Sequence, residues 1–211
     1  MSDSQPVLGP LRRIGLTGGI ATGKSTVSDY LAQCYQWPVL DADRYAREAV
    51  APGSAVLATI VERYGVSLLQ TDGQLNRRLL GDRIFNQPRE RHWLETQIFP
   101  VVRACFQRDL VALKPPTAVL AIPLLFEAEM TDLVTEIWVV ACTPAQQLAR
   151  LQARDQLPAA QARARIASQL PLATKIAAAD VVLDNTGDRA HLLTQVDAAT
   201  QFARTPDVNL G

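Results

Sequence analysis

The segment Gly18-Gly19-Ile20-Ala21-Thr22-Gly23-Lys24-Ser25 constrains this chain more than any other. It fits G-x-x-x-x-G-K-[ST], a loop that wraps phosphate groups. Arg13-Ile14-Gly15-Leu16-Thr17 before it reads as a short buried strand, and Thr26 to Ala32 after it as the start of a helix. Only in that strand–loop–helix order does the pattern have physical meaning. Glycines let the backbone turn tightly, so that successive N–H groups point inward at one anion. The helix that follows presents its positive end to the same charge. Gly19, Ile20, Ala21, Thr22, Gly23, Lys24, Ser25 and Thr26 are therefore the expected nucleotide-binding residues. Lys24 is expected to reach the β- and γ-phosphates, and the Ser25 hydroxyl to hold Mg²⁺. The competing reading is a glycine-rich turn that a lysine happens to follow.

The rest of the chain alternates between strand-like and helical patterns. Pro38 to Asp41 reads as a second strand, which in folds of this kind usually neighbours the first. Asp43 to Val50 and residues 54–64 read as helices, separated by Pro52-Gly53. Leu75 to Phe85 has helical spacing, and a further helix follows Pro88. Pro100 is expected at the first turn of a new helix, where its missing N–H does no harm. Ala118–Ile122 and Ile137–Cys142 are apolar runs of the kind found in covered parallel sheets. Thr143-Pro144 opens a helix to about Ala153, a short helix passes through Lys175, Val181 to Leu183 is a last strand, and Asp188 caps a final helix. The loose segment before residue 13 and the tail from Thr205 are expected to fray. Alternating strands and helices imply an α/β fold with a parallel sheet, whose ligands lie at the carboxyl ends of the strands.

Bulk properties exclude several function classes. The 211 residues carry 21 basic and 21 acidic side chains, so the net charge is zero and nothing favours general nucleic-acid or membrane-surface binding. No apolar run reaches the roughly 20 residues of a membrane span, and the N-terminus lacks the apolar stretch of a signal peptide. Three widely spaced cysteines, Cys34, Cys105 and Cys142, suit neither a disulfide framework nor a zinc site. Cys34 and Cys142 are expected to be packing groups, and His92 and His191 surface residues of helices. A cytoplasmic protein is expected.

Three further groups bear on chemistry. Asp41 and Asp43 follow the second strand; one suits a helix cap, and one suits a carboxylate that takes the proton of an attacking hydroxyl. Glu127, in Pro123-Leu124-Leu125-Phe126-Glu127, either assists a metal or has a structural partner, because no aspartate ends the preceding strand. Arg150 and Arg154 share a helix face, and Arg163 and Arg165 follow in a segment that can close over a transferring phosphoryl group. The competing reading is a solvated helix face, which weighs evenly against function for Arg163 and Arg165 and less for Arg150 and Arg154.

These residues closely resemble the dephospho-coenzyme A kinase family. The likeness runs through Ile14–Thr26, Asp41–Arg47 with Pro52-Gly53, Pro123–Glu127, Gln147–Leu151 with Arg154, Ala164–Gln169, and Ala179-Asp180 with Asp184–Gly187. It spans residues 13–200 in the family's order. It implies a P-loop kinase fold, a parallel sheet flanked by helices, with a helical substrate-binding segment and an arginine-bearing lid. The whole chain, 1–211, would be one kinase domain, with a core of 12–59 and 115–203, a substrate segment of about 60–114 and a lid of about 154–170. It implies ATP and dephospho-coenzyme A as substrates and Mg²⁺ as cofactor; separately, a monomer is expected. By the same resemblance Lys24, Asp43, Arg150 and Arg154 are catalytic, and Asp43, Arg77, Leu124 and Glu127 bind the acceptor. Three positions depart from the family's pattern. Ala21 replaces a frequent glycine, a change tolerable at negative φ; Asn76 stands for an Asp, and Phe99 for a His.

Two other classes compete. One is a P-loop switch or mechanical ATPase, against which stand the missing N-K-x-D motif and the missing strand-terminal aspartate. The other is a kinase of the same fold for a nucleoside or nucleotide. The residues alone reach as far as a P-loop kinase with a small hydroxyl acceptor.

Overall fold

The computed structural model describes residues 12–84 and 87–201. The expected fraying at both termini and the helical assignment of Phe85 lie outside them. The chain divides into two compact units, Met1–Leu40 with Val111–Gly211, and Asp41–Leu110.

The first unit holds the sheet. Its strands are β1 (Arg12–Gly18), β2 (Val39–Asp41, whose last residue opens the second unit), β3 (Thr117–Ala121), β4 (Glu136–Ala141) and β5 (Val181–Asp184). Their order is β2-β3-β1-β4-β5. The pairs β1–β3, β1–β4 and β4–β5 are parallel, with Ile14 level with Val119 on one side and Glu136 on the other. The expected adjacency of the first two strands is thus corrected, because β3 lies between them. The Val119 N–H donates to the Pro38 carbonyl at 2.9 Å, and β3 is apolar enough on both faces for an inner position.

Helix α1 (Lys24–Cys34) packs Val27 and Leu31 onto Ile14, Leu16, Val119, Trp138 and Val140, all fully buried. Each such aliphatic side chain contributes about 1.5–3 kcal/mol by leaving water. Trp138 and Glu136 inside have polar partners. Trp138 Nε1 donates to Glu136 at 3.1 Å, and Glu136 pairs with the guanidinium of Arg12, which also donates to the Thr200 carbonyl at 2.7 Å. Three more helices follow β4 in this unit before β5, namely α6 (Pro144–Asp155), α7 (Ala159–Ala167) and α8 (Leu172–Ala177); α9 (Arg189–Thr200) closes it. Thr143 caps α6 in a capping box with Gln146, and Asp188 caps α9 through the His191 N–H at 2.8 Å, both as the sequence indicates.

The second unit contains α2 (Ala42–Ala49), α3 (Ala55–Tyr64), α4 (Arg77–Ile84) and most of α5 (Pro88–Ala112). It starts at Asp41, and Val50, Leu57 and Ile60 share one apolar cluster in it with Leu68, Leu75 and Leu80. Its edge is held by Glu90, which accepts from both Arg63 and the Tyr64 hydroxyl, with Arg63 4.4 Å from the Trp93 ring centre. Pro100 does not begin a new helix. It lies inside α5, where it removes one donor without ending the helix, because Val102, Phe106 and Leu110 carry the buried face onward. Cys142 is buried as expected, but Cys34 is exposed, at the last turn of α1, and is no packing group. His92 and His191 lie exposed on helices.

Candidate active site

The phosphate loop joins β1 to α1. Three of its residues have positive φ: Gly18 at 149°, Ala21 at 59° and Gly23 at 107°. Gly18 and Gly23 need to be glycine for space as well. A Cβ on Gly18 would lie 2.5 Å from the Val140 carbonyl oxygen, and one on Gly23 2.2 Å from the Asn185 amide nitrogen. Ala21 corrects the expectation of a negative φ; it adopts the left-handed conformation itself, at a cost of about 1–2 kcal/mol. The loop's turn sets this φ, and the buried Thr22, whose hydroxyl donates to Gly19 O at 2.9 Å, holds the turn in place.

Side-chain amides from three other segments clamp the loop. Gln147 of α6 donates to Ile20 O at 2.9 Å, and Gln169 Oε1 accepts from Ile20 N–H at 2.8 Å. Asn185 Nδ2 donates to Thr22 O at 2.8 Å. Lys24 folds back over the loop, with Nζ 3.0 Å from Gly19 O and 3.4 Å from Gly18 O. Ser25 is exposed in the first turn of α1, one residue on from Lys24, and Thr26 donates through its N–H to Gly23 O at 3.1 Å.

The arginines lie on and beyond α6. Arg150 Nη2 donates to Asn185 O at 3.0 Å, which ties it to the residue that braces Thr22. Its Nη1 is buried without a hydrogen-bond partner among the described residues. A buried donor in that state suits an acceptor brought by a ligand. Arg154 donates to Asp155 at 2.7 and 3.1 Å, and Arg165 to the same carboxylate at 3.0 Å. The Arg154 bond, more than the charges of Arg154 and Arg165, holds the Asp155 carboxyl below its usual pKa. Burial pushes the Cys142 thiol up against the opposing pull of nearby Arg150, so it is no activated nucleophile.

Glu127 is occupied by protein partners. It accepts from the Leu170 N–H at 2.9 Å and lies 2.9 Å from the Lys175 ammonium, which is fully buried. Leu124, in the same loop, is half-buried and accepts from the Ala128 N–H at 2.8 Å.

In the second unit Asp41 caps α2, accepting from the Asp43 N–H at 2.8 Å. The cap role therefore falls to the first acid of the pair, and Asp43 lies exposed in the first helical turn. Arg77 donates to Arg47 O at 3.2 Å and borders a cavity of about 180 Å³ lined with Val50, Leu75, Leu80, Ile84 and Leu94. Burial, then the charge of Arg47, lowers its pKa from the usual arginine value.

The residues fit a magnesium nucleotide. Among the described residues there is no group of three or more His, Cys, Asp or Glu that would bind a metal ion by itself. The exposed Ser25 hydroxyl beside the phosphate loop would give one oxygen ligand to a cation that a triphosphate shares, as Mg²⁺ sites commonly are.

Gln147, Gln169, Asn185 and Lys175 received no role from sequence reasoning. Gln147 had a legible signal: it precedes Arg150 by three residues and Arg154 by seven, which puts it on their helix face. Lys175 had another. Lysine occurs at only three positions of this arginine-rich chain, 24, 114 and 175.

Comparison with known proteins bears on the family of the chain. The family model described as dephospho-CoA kinase matches residues 12–191. A dephospho-CoA kinase of Synechococcus elongatus is 59% identical over 191 residues, covering 90% of this chain and 91% of that one. A solved structure from Thermus thermophilus superposes with TM-score 0.75 at 31% identity, covering 92% of this chain and 100% of that one. The dephospho-CoA kinase of Campylobacter jejuni does so with TM-score 0.66 at 26% identity, over 90% and 95%.

Proposed function

The chain belongs to the dephospho-CoA kinase family, and from that premise we propose that it transfers the γ-phosphoryl group of ATP to the ribose 3′-hydroxyl of dephospho-coenzyme A. The products are coenzyme A and ADP, and the step ends coenzyme A biosynthesis. The observation that carries this reading is the clamped phosphate loop, with Lys24 over it and, among the described residues, a buried Arg150 Nη1 that lacks a hydrogen-bond partner.

The loop amides and α1 receive the triphosphate, and Lys24 exchanges its carbonyl contacts for phosphate oxygens. Ser25 and the nucleotide would hold Mg²⁺, which would supply charge neutralisation on the phosphoryl oxygens. Asp43 accepts the proton of the 3′-hydroxyl as its oxygen bonds to the γ-phosphorus, and the bond from that phosphorus to the oxygen of ADP breaks. Arg150 and Arg154 neutralise charge on the group in flight. The segment of about 154–170 is the lid that excludes water. Arg77 and Leu124 contact the acceptor, and Arg77 with its apolar cavity suits a ligand that is part anionic and part apolar. Glu127 acts on the acceptor side by shaping the Pro123–Glu127 loop, since its carboxylate is already engaged. Loop, arginines and lid come from one chain, so a monomer in the cytoplasm suffices. Among the described residues no helix is long and apolar enough to cross a membrane.

The test is position of transfer. With γ-labelled Mg-ATP, label should appear on the ribose 3′-oxygen of the product, and Lys24→Ala should abolish it. Label on another oxygen, or equal labelling with Lys24→Ala, contradicts the reading.

A further inference from the structure

We propose that Gln169, Glu127 and Lys175 form a strap that fixes the end of the lid to the phosphate loop, and that Gln169 is thereby a positioning residue that keeps ATP turnover tied to acceptor phosphorylation. The inference rests on the kinase reading above.

The contacts form a closed path. Gln169 Oε1 accepts from Ile20 N–H at 2.8 Å, while the carbonyl of Ile20 accepts from Gln147 at 2.9 Å. The next residue, Leu170, donates its N–H to Glu127 at 2.9 Å. Lys175 holds both oxygens of Glu127, at 2.9 and 3.2 Å, and donates to the Pro123 carbonyl at 3.0 Å. That carbonyl also accepts from the Thr17 hydroxyl at 3.2 Å. Thr17 is the residue before the motif and Ile20 lies inside it. The path therefore leaves the sheet just ahead of the phosphate loop and returns to the loop itself.

The chemistry of each member fits this role. A buried ammonium needs every proton matched by an acceptor, and Lys175 meets the Pro123 carbonyl and both Glu127 oxygens while fully buried. Its compact charge can sit there; the wider planar fork of an arginine has a different geometry. Gln169 is a neutral acceptor, so it holds a loop amide without putting negative charge beside a triphosphate. Two consecutive residues, 169 and 170, thus bond in opposite directions, one to the phosphate loop and one to the Pro123–Glu127 loop. That arrangement fixes the residues at which the lid segment ends. A lid anchored there excludes water only when the anchor is intact.

The test compares Gln169→Leu, Gln169→Glu and Lys175→Met with the parent enzyme. The readouts are ADP formed without acceptor, coenzyme A formed with it, and KM for each substrate. Gln169→Leu should lower kcat about tenfold, leave KM for dephospho-coenzyme A within about twofold, and raise acceptor-independent ATP hydrolysis relative to transfer about tenfold. Gln169→Glu keeps an acceptor oxygen for Ile20, so it should restore the parent ratio while raising KM for ATP through like charge. Lys175→Met should show the ratio of Gln169→Leu; if it does not fold, the two Gln169 variants decide. A parent-like ratio in Gln169→Leu, or the same loss in Gln169→Glu, overturns the inference. Failure of the kinase reading looks different: the parent enzyme itself would then form no coenzyme A.

Discussion

The phosphate loop and the arginine segment that follows it in function are held in opposite ways. The loop is braced from outside itself: Gln147, Gln169 and Asn185 reach it from positions more than a hundred residues away and bond its peptide groups. Arg154 and Arg165 bond a carboxylate within their own segment, Asp155. Preorganised backbone dipoles need not move when charge arrives, and that is where electrostatic catalysis gains most. The surface ion pairs of the arginine segment are worth little each, so a phosphate can displace Asp155 at small cost. The comparison teaches a division of labour: one region is held by fixed amides, and the other by weak bonds that, on the proposed kinase reading, the substrate would replace.

The largest effect that could break this comparison is loss of the loop's own cation. Lys24→Ala should lower kcat/KM by at least about 10³-fold with the fold unchanged, by steady-state kinetics and circular dichroism. Asp43→Asn comes next, with kcat down about 10²–10⁴-fold and ATP affinity within about twofold. Should Asp41→Asn do this instead, the cap and the base have been exchanged. Arg154→Ala should cost about 10²-fold in kcat and lower the melting temperature only slightly, since its bond to Asp155 is exposed. An equal loss of stability would make Arg154 part of the scaffold.

Acid sharpens the contrast, because the loop is clamped by amides that do not titrate while the arginines are held by a carboxylate that does. Asp155 has a folded pKa below its usual value of 3.8, so its stabilising contribution is fully present above that value and is lost as pH falls through the lower one. The stability difference between the parent and Asp155→Asn should therefore be constant above about pH 5 and vanish on acidification, in urea melts at stepped pH. A difference that grows toward low pH would be the wrong sign. The smallest effect is Ala21→Gly, which relieves a left-handed alanine and should raise stability by up to about 1 kcal/mol. No gain would mean that the loop pays nothing for its shape at that residue.

Much of this was open to reading in the sequence, and the limits have physical causes. The phosphate loop, α6 and α9 were legible because turns and caps are local: glycine, Thr143-Pro144 and Asp188 act on their own neighbours. Asp41 and Asp43 were legible as a pair, though only the Asp43 N–H bond to Asp41 separates cap from candidate base. Strand order was not, because β3 enters between β2 and β1 from seventy-odd residues further along, and no local pattern encodes that. Pro100 misled because a helix start is its commonest tolerated place, while tertiary burial along α5 outweighed the lost hydrogen bond. Gln147 and Lys175 carried weak signals of position and rarity, but Gln169 stayed silent because its meaning lies in a partner distant along the chain.

The most direct measurement is ADP release by the purified protein with Mg-ATP, in the presence of dephospho-coenzyme A, adenosine or AMP. The account predicts strong stimulation by dephospho-coenzyme A alone, with one coenzyme A formed per ADP. Stimulation by another acceptor instead, or turnover indifferent to any acceptor, would contradict it.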